Sequence, residues 1–137
     1  MIAFFERLEE SRQRRDTVLC VGIDPRLPQI PDEIRAKTGG DIEQMLLRFG
    51  TEILEIVERD AACVKPQIAF FEAYGLAGLR AYVGIIREAR RRGIPVFGDV
   101  KRGDIGSTAS AYAAGHLTPG VDLEVDALTL NPYLGAD

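Results

Sequence analysis

Apolar positions along the chain switch between two periods. Phe4, Phe5 and Leu8 stand at helical spacing among charges, which predicts a short amphipathic helix over residues 2–15. Val18 to Ile23 is a continuous apolar run stopped by Asp24-Pro25, and it reads as a strand buried on both faces. Pro25, Pro28, Pro31, Gly39 and Gly40 mark residues 25–40 as loop. Asp41 is placed to cap the next helix, with Gln44 at its third position. Ile42, Leu46, Phe49, Ile53 and Ile56 carry that helix to Arg59. The cycle then repeats. Ala61 to Val64 is a second strand, stopped at Lys65-Pro66. A helix follows through Arg92, with Leu76, Leu79, Val83 and Ile86 on one face and Gly93 as its terminating glycine. Pro95 to Lys101 is a third strand, and the Ala- and Ser-rich residues 104–115 are helical. Val125 to Leu130 is a fourth strand, stopped at Asn131-Pro132, and Tyr133 to Asp137 begin a loop.

Strict alternation of strands and helices implies parallel strands with right-handed crossovers. Two architectures fit, a doubly wound open sheet and part of a (β/α)₈ barrel. The segment after the first strand, GIDPRLP, has no G-x-G-x-x-G, and no G-x-x-x-x-G-K-[ST] occurs anywhere. Each strand instead ends in a polar residue: Asp24, Lys65, Asp99 with Lys101, and Asn131. In a barrel these ends share one mouth, where active sites are built. A barrel takes about 250 residues. Four strands in 137 residues therefore amount to half of one.

Composition narrows the function. The chain is 46% hydrophobic and 28% charged with a net charge of −4, a globular composition with enough apolar surface for a core. It has no apolar run long enough for a membrane span. Glu6 and the charges after Leu8 break any secretory signal. A mildly acidic chain is a poor nucleic-acid binder, and the basic run Arg87 to Arg92 complements the end of a helix dipole. Cys20 and Cys63 lie in short apolar runs and read as buried free thiols of a reducing cytosol. His116 is the single histidine. Without a His base or a His/Cys cluster, acid–base chemistry must fall to Lys, Asp or Glu.

The segment GDVKRGDIGST, from Gly98 to Thr108, carries such groups. Asp99 and Lys101 are two apart on a strand and face one side, and Asp104 lies just beyond the strand end. One reading is a solvated Lys–Asp pair. The other is a charged network of Asp24, Lys65, Asp99, Lys101 and Asp104, converging on one pocket. An ammonium fixed beside a carboxylate suits a reaction in which a substrate carboxylate is lost and charge develops on carbon. The Asp disfavours the bound carboxylate, and the Lys stabilises and protonates the carbanion. Phe70 and Phe71 read as core or dimer contacts, Ser107 and Ser110 as helix-start residues, and Glu72 as a helix-start charge.

Taken together, LCVGIDPR, CVKPQIAFFEAYG, VFGDVKRGDIGSTASAYA and DALTLNPYLG resemble orotidine 5′-phosphate decarboxylase, in its bacterial branch with the NPYLG segment. The resemblance runs from about residue 4 to 137. It implies a (β/α)₈ barrel and a cofactor-free homodimer that converts orotidine 5′-monophosphate to UMP and CO₂; no metal site is expected, and the location is expected to be cytoplasmic. It also implies that Lys101 is the proton donor to C6, with Asp99 against the substrate carboxylate. Lys65 then bridges that aspartate and the ribose, and Asp24 binds the ribose. The residues matching Asp104 and Thr108 reach into the partner subunit's site. The late strands that build the phosphate site have no counterpart in the 137 residues. They are accordingly expected to be the N-terminal half of a single barrel domain, inactive alone. Two other readings remain. One is a non-catalytic fragment that associates with a second half. The other is a Mg²⁺-dependent sugar-phosphate decarboxylase or aldolase sharing D-x-K-x-x-D, although such enzymes place an acid where this chain has Lys65.

Overall fold

The computed structural model describes residues 4–134, so the expected helix start at residues 2–3 and the loop at 135–137 lie outside the described residues. Four strands are present: β1 (Cys20–Ile23), β2 (Cys63–Pro66), β3 (Phe97–Arg102) and β4 (Ala127–Leu130). β1 pairs parallel with β2, Cys20 opposite Cys63 and Gly22 opposite Lys65. β3 pairs parallel with β4, and isolated parallel bridges at Val64–Val96 and Gln67–Asp99 join β2 to β3. The spatial order is therefore β1-β2-β3-β4, the order in sequence. Consecutive parallel neighbours joined by helices are the repeating unit of a (β/α) barrel.

The helices are α1 (Phe4–Arg15), α2 (Asp32–Thr38), α3 (Ile42–Val57), α4 (Ala69–Glu72), α5 (Gly75–Arg91) and α6 (Gly106–Leu117). None among the described residues is long and apolar enough to cross a membrane. Asp41 caps α3 as expected, its carboxylate accepting from the Gln44 N–H at 2.8 Å. Gly93 ends α5 with φ 65°. The core fills the space between the sheet and α3 and α5, with Ile23, Leu46, Leu54, Val64, Tyr82, Ile85 and Val96 fully buried. The two helices approach closely because Gly50 faces Ile85 and Gly84 faces Leu47; a Cβ at either glycine would lie 2.3 Å or 2.7 Å from the facing side chain. The basic run pairs with acids, Arg87 with Asp122, Arg90 with Glu124, and Arg92 with Glu55, Glu58 and Glu88.

Four expectations need correction. Residues 25–40 are not all loop, because α2 lies among them with Ile34 buried. Pro31 directly before its first turn and Gly39 at φ 60° after its last are helix boundary signals, which the high Pro and Gly density masks. The single helix expected after β2 is two, α4 and α5, broken at Ala73–Tyr74. Gly78 lies so close to the Phe71 carbonyl that a Cβ there would sit 1.9 Å away. The buried stripe of α5 is Gly78, Ala81, Tyr82, Ile85, Ile86 and Ala89, while Leu76 is 71% exposed. Small residues set that stripe, because they let α5 reach α3 and α4. Lastly, β1 is covered on one face only: Ile23 is buried, whereas Cys20 and Gly22 are exposed. Val21 and Ile23 face the helices, and the opposite side of the sheet carries Cys20, Gly22 and Lys65.

Candidate active site

The side of the sheet turned from the helices gathers charge around one carboxylate. Asp99, on β3, is only 6% exposed. Its Oδ1 accepts from Lys101 Nζ at 2.5 Å and from Thr129 Oγ1 at 2.9 Å. Its Oδ2 accepts from Lys65 Nζ at 2.9 Å and from Gln67 Nε2 at 2.7 Å. Burial pushes the Asp99 carboxyl up, but the hydrogen bonds from Lys101, Lys65 and Thr129 together outweigh it and hold the group at about 2. The bond to Asp99 raises Lys65 in turn, with Asp24 adding a smaller pull in the same direction. Lys101 is exposed apart from this contact. Its ammonium is thus tethered at one point and open to the mouth of the sheet.

The backbone beneath this pair departs from a regular strand. Gly98 pairs with Leu128 and Arg102 with Leu130, so four steps along β3 match two along β4. Lys101 stands in that bulge with φ 48°. The i, i+2 spacing predicts the Lys101–Asp99 contact, but a regular strand is not what makes it. Lys101 meets Asp99 because the chain bulges, and bulges commonly re-aim a side chain beside a site.

Not every anticipated member joins the cluster. Asp24 is exposed at the end of β1 and acts on Lys65 through its charge. Asp104 is not in the network: its Oδ1 accepts from the Ile105 N–H at 2.8 Å, and it lines a cleft of about 460 Å³ with Arg102, Tyr112, Leu130 and Asn131. Thr108 is exposed in the first turn of α6, with its N–H bonded to the Ile105 carbonyl at 3.2 Å. Of the expected five-membered network, the chain itself joins three members, two ammoniums flanking one carboxylate. Cys20 and Cys63 are both free, but Cys20 is exposed rather than buried. Phe71 is core, while Phe70 lies under the Arg26 guanidinium at 5.1 Å from its ring centre. Glu72 pairs with Arg102 at 2.6 Å.

Two members of the cluster escape a sequence reading that looks for ionisable groups. Gln67 follows Lys65 by two residues and so shares its face. Thr129 is the one hydroxyl in the apolar run of the fourth strand. Both are neutral donors, legible only once their partner is known.

Residues 17–137 match the model of the orotidine 5′-phosphate decarboxylase / HUMPS family. The chain belongs to this family. Orotidine 5′-phosphate decarboxylase of Clostridium perfringens (strain 13 / Type A) is 41% identical over 133 residues, covering 97% of this chain and 44% of the relative. That of Deinococcus radiodurans is 46% identical over 133 residues, covering 96% and 44%. The structure of Leishmania donovani OMP decarboxylase superposes with a TM-score of 0.78 at 34% identity, covering 99% of this chain and 47% of that one. The chain thus spans about half the length of the curated relatives it matches, and its four β/α units are about half of the (β/α)₈ barrel. The four segments that carry the resemblance all lie within the matched region. In this family frame, Asp24 and Asn131 directly follow β1 and β4, while Lys65 lies on β2 and Asp99 and Lys101 on β3; barrel enzymes place their chemistry at the C-terminal ends of their strands.

Proposed function

We propose that residues 1–137 are the N-terminal half of a single barrel domain that decarboxylates orotidine 5′-monophosphate to UMP and CO₂. The observation that carries this reading is the buried Asp99 held between Lys65 and Lys101 by four donors. Asp99 stays ionised at neutral pH, so its charge opposes a substrate carboxylate placed against it. The bond from C6 to the carboxylate breaks, CO₂ leaves, and the electron pair stays on C6. Lys101 then gives its Nζ proton to C6. A fixed ammonium is worth most where charge develops on carbon in a site closed to water. Every step falls to side chains, and the reading calls for neither metal nor cofactor.

Lys65 is placed to bridge Asp99 and the ribose, and Asp24 to bind the ribose. Asp104 and Thr108, which stand apart from the cluster, fit a role in the neighbouring site of a homodimer. The phosphate grip falls to the C-terminal half. The ammonium of Lys65, 2.9 Å from Asp99, occupies the position on the second strand where the Mg²⁺-dependent sugar-phosphate enzymes place an acid, which supports metal-free decarboxylation of orotidine 5′-monophosphate over the Mg²⁺-dependent chemistry. The free thiols suit a reducing cytoplasm.

The test joins this chain to the C-terminal half of the Clostridium perfringens relative and follows conversion of orotidine 5′-monophosphate. The joined protein is expected to turn over. Lys101→Ala is expected to lose a factor on the order of 10²–10⁴ with circular dichroism unchanged, the range for a positioned proton donor. Near-normal turnover in that variant refutes the role of Lys101. No turnover in the parent joined protein refutes the reading as a whole.

A further inference from the structure

We infer that Thr129 is the positioning residue of the Lys101–Asp99 pair, its one hydroxyl orienting the carboxylate while pinning the left-handed backbone turn that aims the lysine. The inference rests on the functional reading above for its kinetic consequence, and on geometry alone for the positioning.

A threonine hydroxyl has one proton to give and two lone pairs to receive. Thr129 Oγ1 accepts from the Val100 N–H at 3.0 Å and from the Lys101 N–H at 2.9 Å. Both lone pairs are then taken by groups that only donate. The remaining contact, to Asp99 Oδ1 at 2.9 Å, must use the hydroxyl proton. The orientation of the hydroxyl is thereby fixed, and the Asp99 oxygen that it holds is the one that meets Lys101 Nζ.

The same contacts explain the bulge. Between the Gly98–Leu128 and Arg102–Leu130 pairs, the amides of Val100 and Lys101 turn to a side chain of β4 instead of its backbone. Lys101 sits there at φ 48°, a left-handed conformation that residues other than Gly, Asn and Asp rarely hold. Such a conformation persists only where the surroundings over-determine it. Here the surroundings are one oxygen atom bonded to two consecutive amides. Removing it frees the backbone that sets where Lys101 starts and the oxygen where its ammonium ends. The hydrogen bonds of the Thr129 hydroxyl run to Asp99 and to the Val100 and Lys101 backbone, so it acts on the lysine through these groups.

Thr129→Val keeps the shape and removes the hydroxyl, whereas Thr129→Ser keeps the hydroxyl and removes the methyl. Both belong in the joined protein described above, with Asp99 followed by ¹³C-carboxyl NMR and the Val100 and Lys101 amides by ¹⁵N NMR. In the valine variant the Asp99 titration is expected to move up and both amide signals to shift. kcat is expected to fall on the order of 100-fold, the cost of an ångström-scale misplacement, with KM little changed. Serine is expected to restore the titration, the amide positions and most of kcat. Should the valine variant fail to fold, Thr129→Cys, a far weaker donor, replaces it with the same expectation. A valine variant matching the parent in titration and amide shifts overturns the inference. So does a serine variant as impaired as valine, because the hydroxyl would then not be what matters. If the joined parent has no turnover, the functional reading fails, and the NMR comparison still decides the positioning.

Discussion

Asp99 receives two hydrogen bonds on each carboxylate oxygen, which fills its acceptor capacity. A carboxylate buried this way is secure only while its partners remain, since an unpaired charge in the interior is strongly destabilising. The held value of about 2 lies below the ordinary 3.8, so Asp99 binds its proton less readily folded than unfolded. Its stabilising contribution is complete above pH 3.8 and is lost as pH falls through the window down to about 2. Denaturant unfolding of the parent and Asp99→Asn at several pH values in that window checks this. The parent is expected to lose stability faster with acid than the variant, and to be the more stable of the two at pH 7. Parallel acid limbs would remove Asp99 from the account. Glu88, held at about 2 by Arg91 and Arg92, contributes equally to both proteins and cancels in the comparison.

Among the elements, α5 shows how small residues direct packing. Gly78 abuts the backbone of α4, where a Cβ would lie 1.9 Å from the Phe71 carbonyl oxygen and 2.7 Å from its carbon. Backbone cannot swing aside as a side-chain tip can. Gly78→Ala is therefore expected to lower stability by about 1–3 kcal/mol or more, the usual cost of overpacking, read as a fall in thermal midpoint. Gly115, in α6, has nothing within 4 Å of its built Cβ. Gly115→Ala is expected to stabilise by about 0.5–1 kcal/mol through helix propensity alone. The opposite signs separate contact from propensity. If both substitutions stabilise, the close approach of α5 to α4 is not the reason for Gly78. The edge-to-face contact of Phe71 and Tyr82, 5.2 Å between ring centres, depends on that same approach.

As a whole, the described residues form a sheet with β1 and β4 at the two ends of the strand order. Val18, beside β1, is 83% exposed and Leu130, on β4, is 69% exposed. Leu117 and Leu134 add further exposed apolar surface around the cleft between α6 and β4. Unpaired strand edges with apolar neighbours are templates for association. The 137 residues alone are expected to self-associate at micromolar concentration in light scattering and to show no turnover of orotidine 5′-monophosphate. Adding the C-terminal half of a relative as a separate chain is expected to suppress the association and produce turnover. A monodisperse 137-residue chain with full activity would overturn both the half-barrel account and the need for a remote phosphate grip, whose binding energy supports the chemical step.

Local pattern determined much of this protein. The alternation of strands and helices, the Asp41 cap and the Gly93 stop depend on spacing within a few residues, and they stand where the sequence places them, whereas Lys65 and Pro66 lie within β2 instead of ending it. The ionisable candidates Lys65, Asp99 and Lys101 were legible too, because charged groups at the ends of apolar strands are costly unless paired. Tertiary structure decided what spacing does not encode. It chose the small-residue stripe of α5 over the one containing Leu76, because the approach of α3 and α4 rewards absent volume. It left Asp104 outside the cluster and drew in Gln67 and Thr129, since a neutral donor has meaning only through its partner. It also put Lys101 in a left-handed bulge, because two amides of β3 found a side-chain oxygen on β4, some thirty residues away in sequence, where a regular strand would have offered backbone.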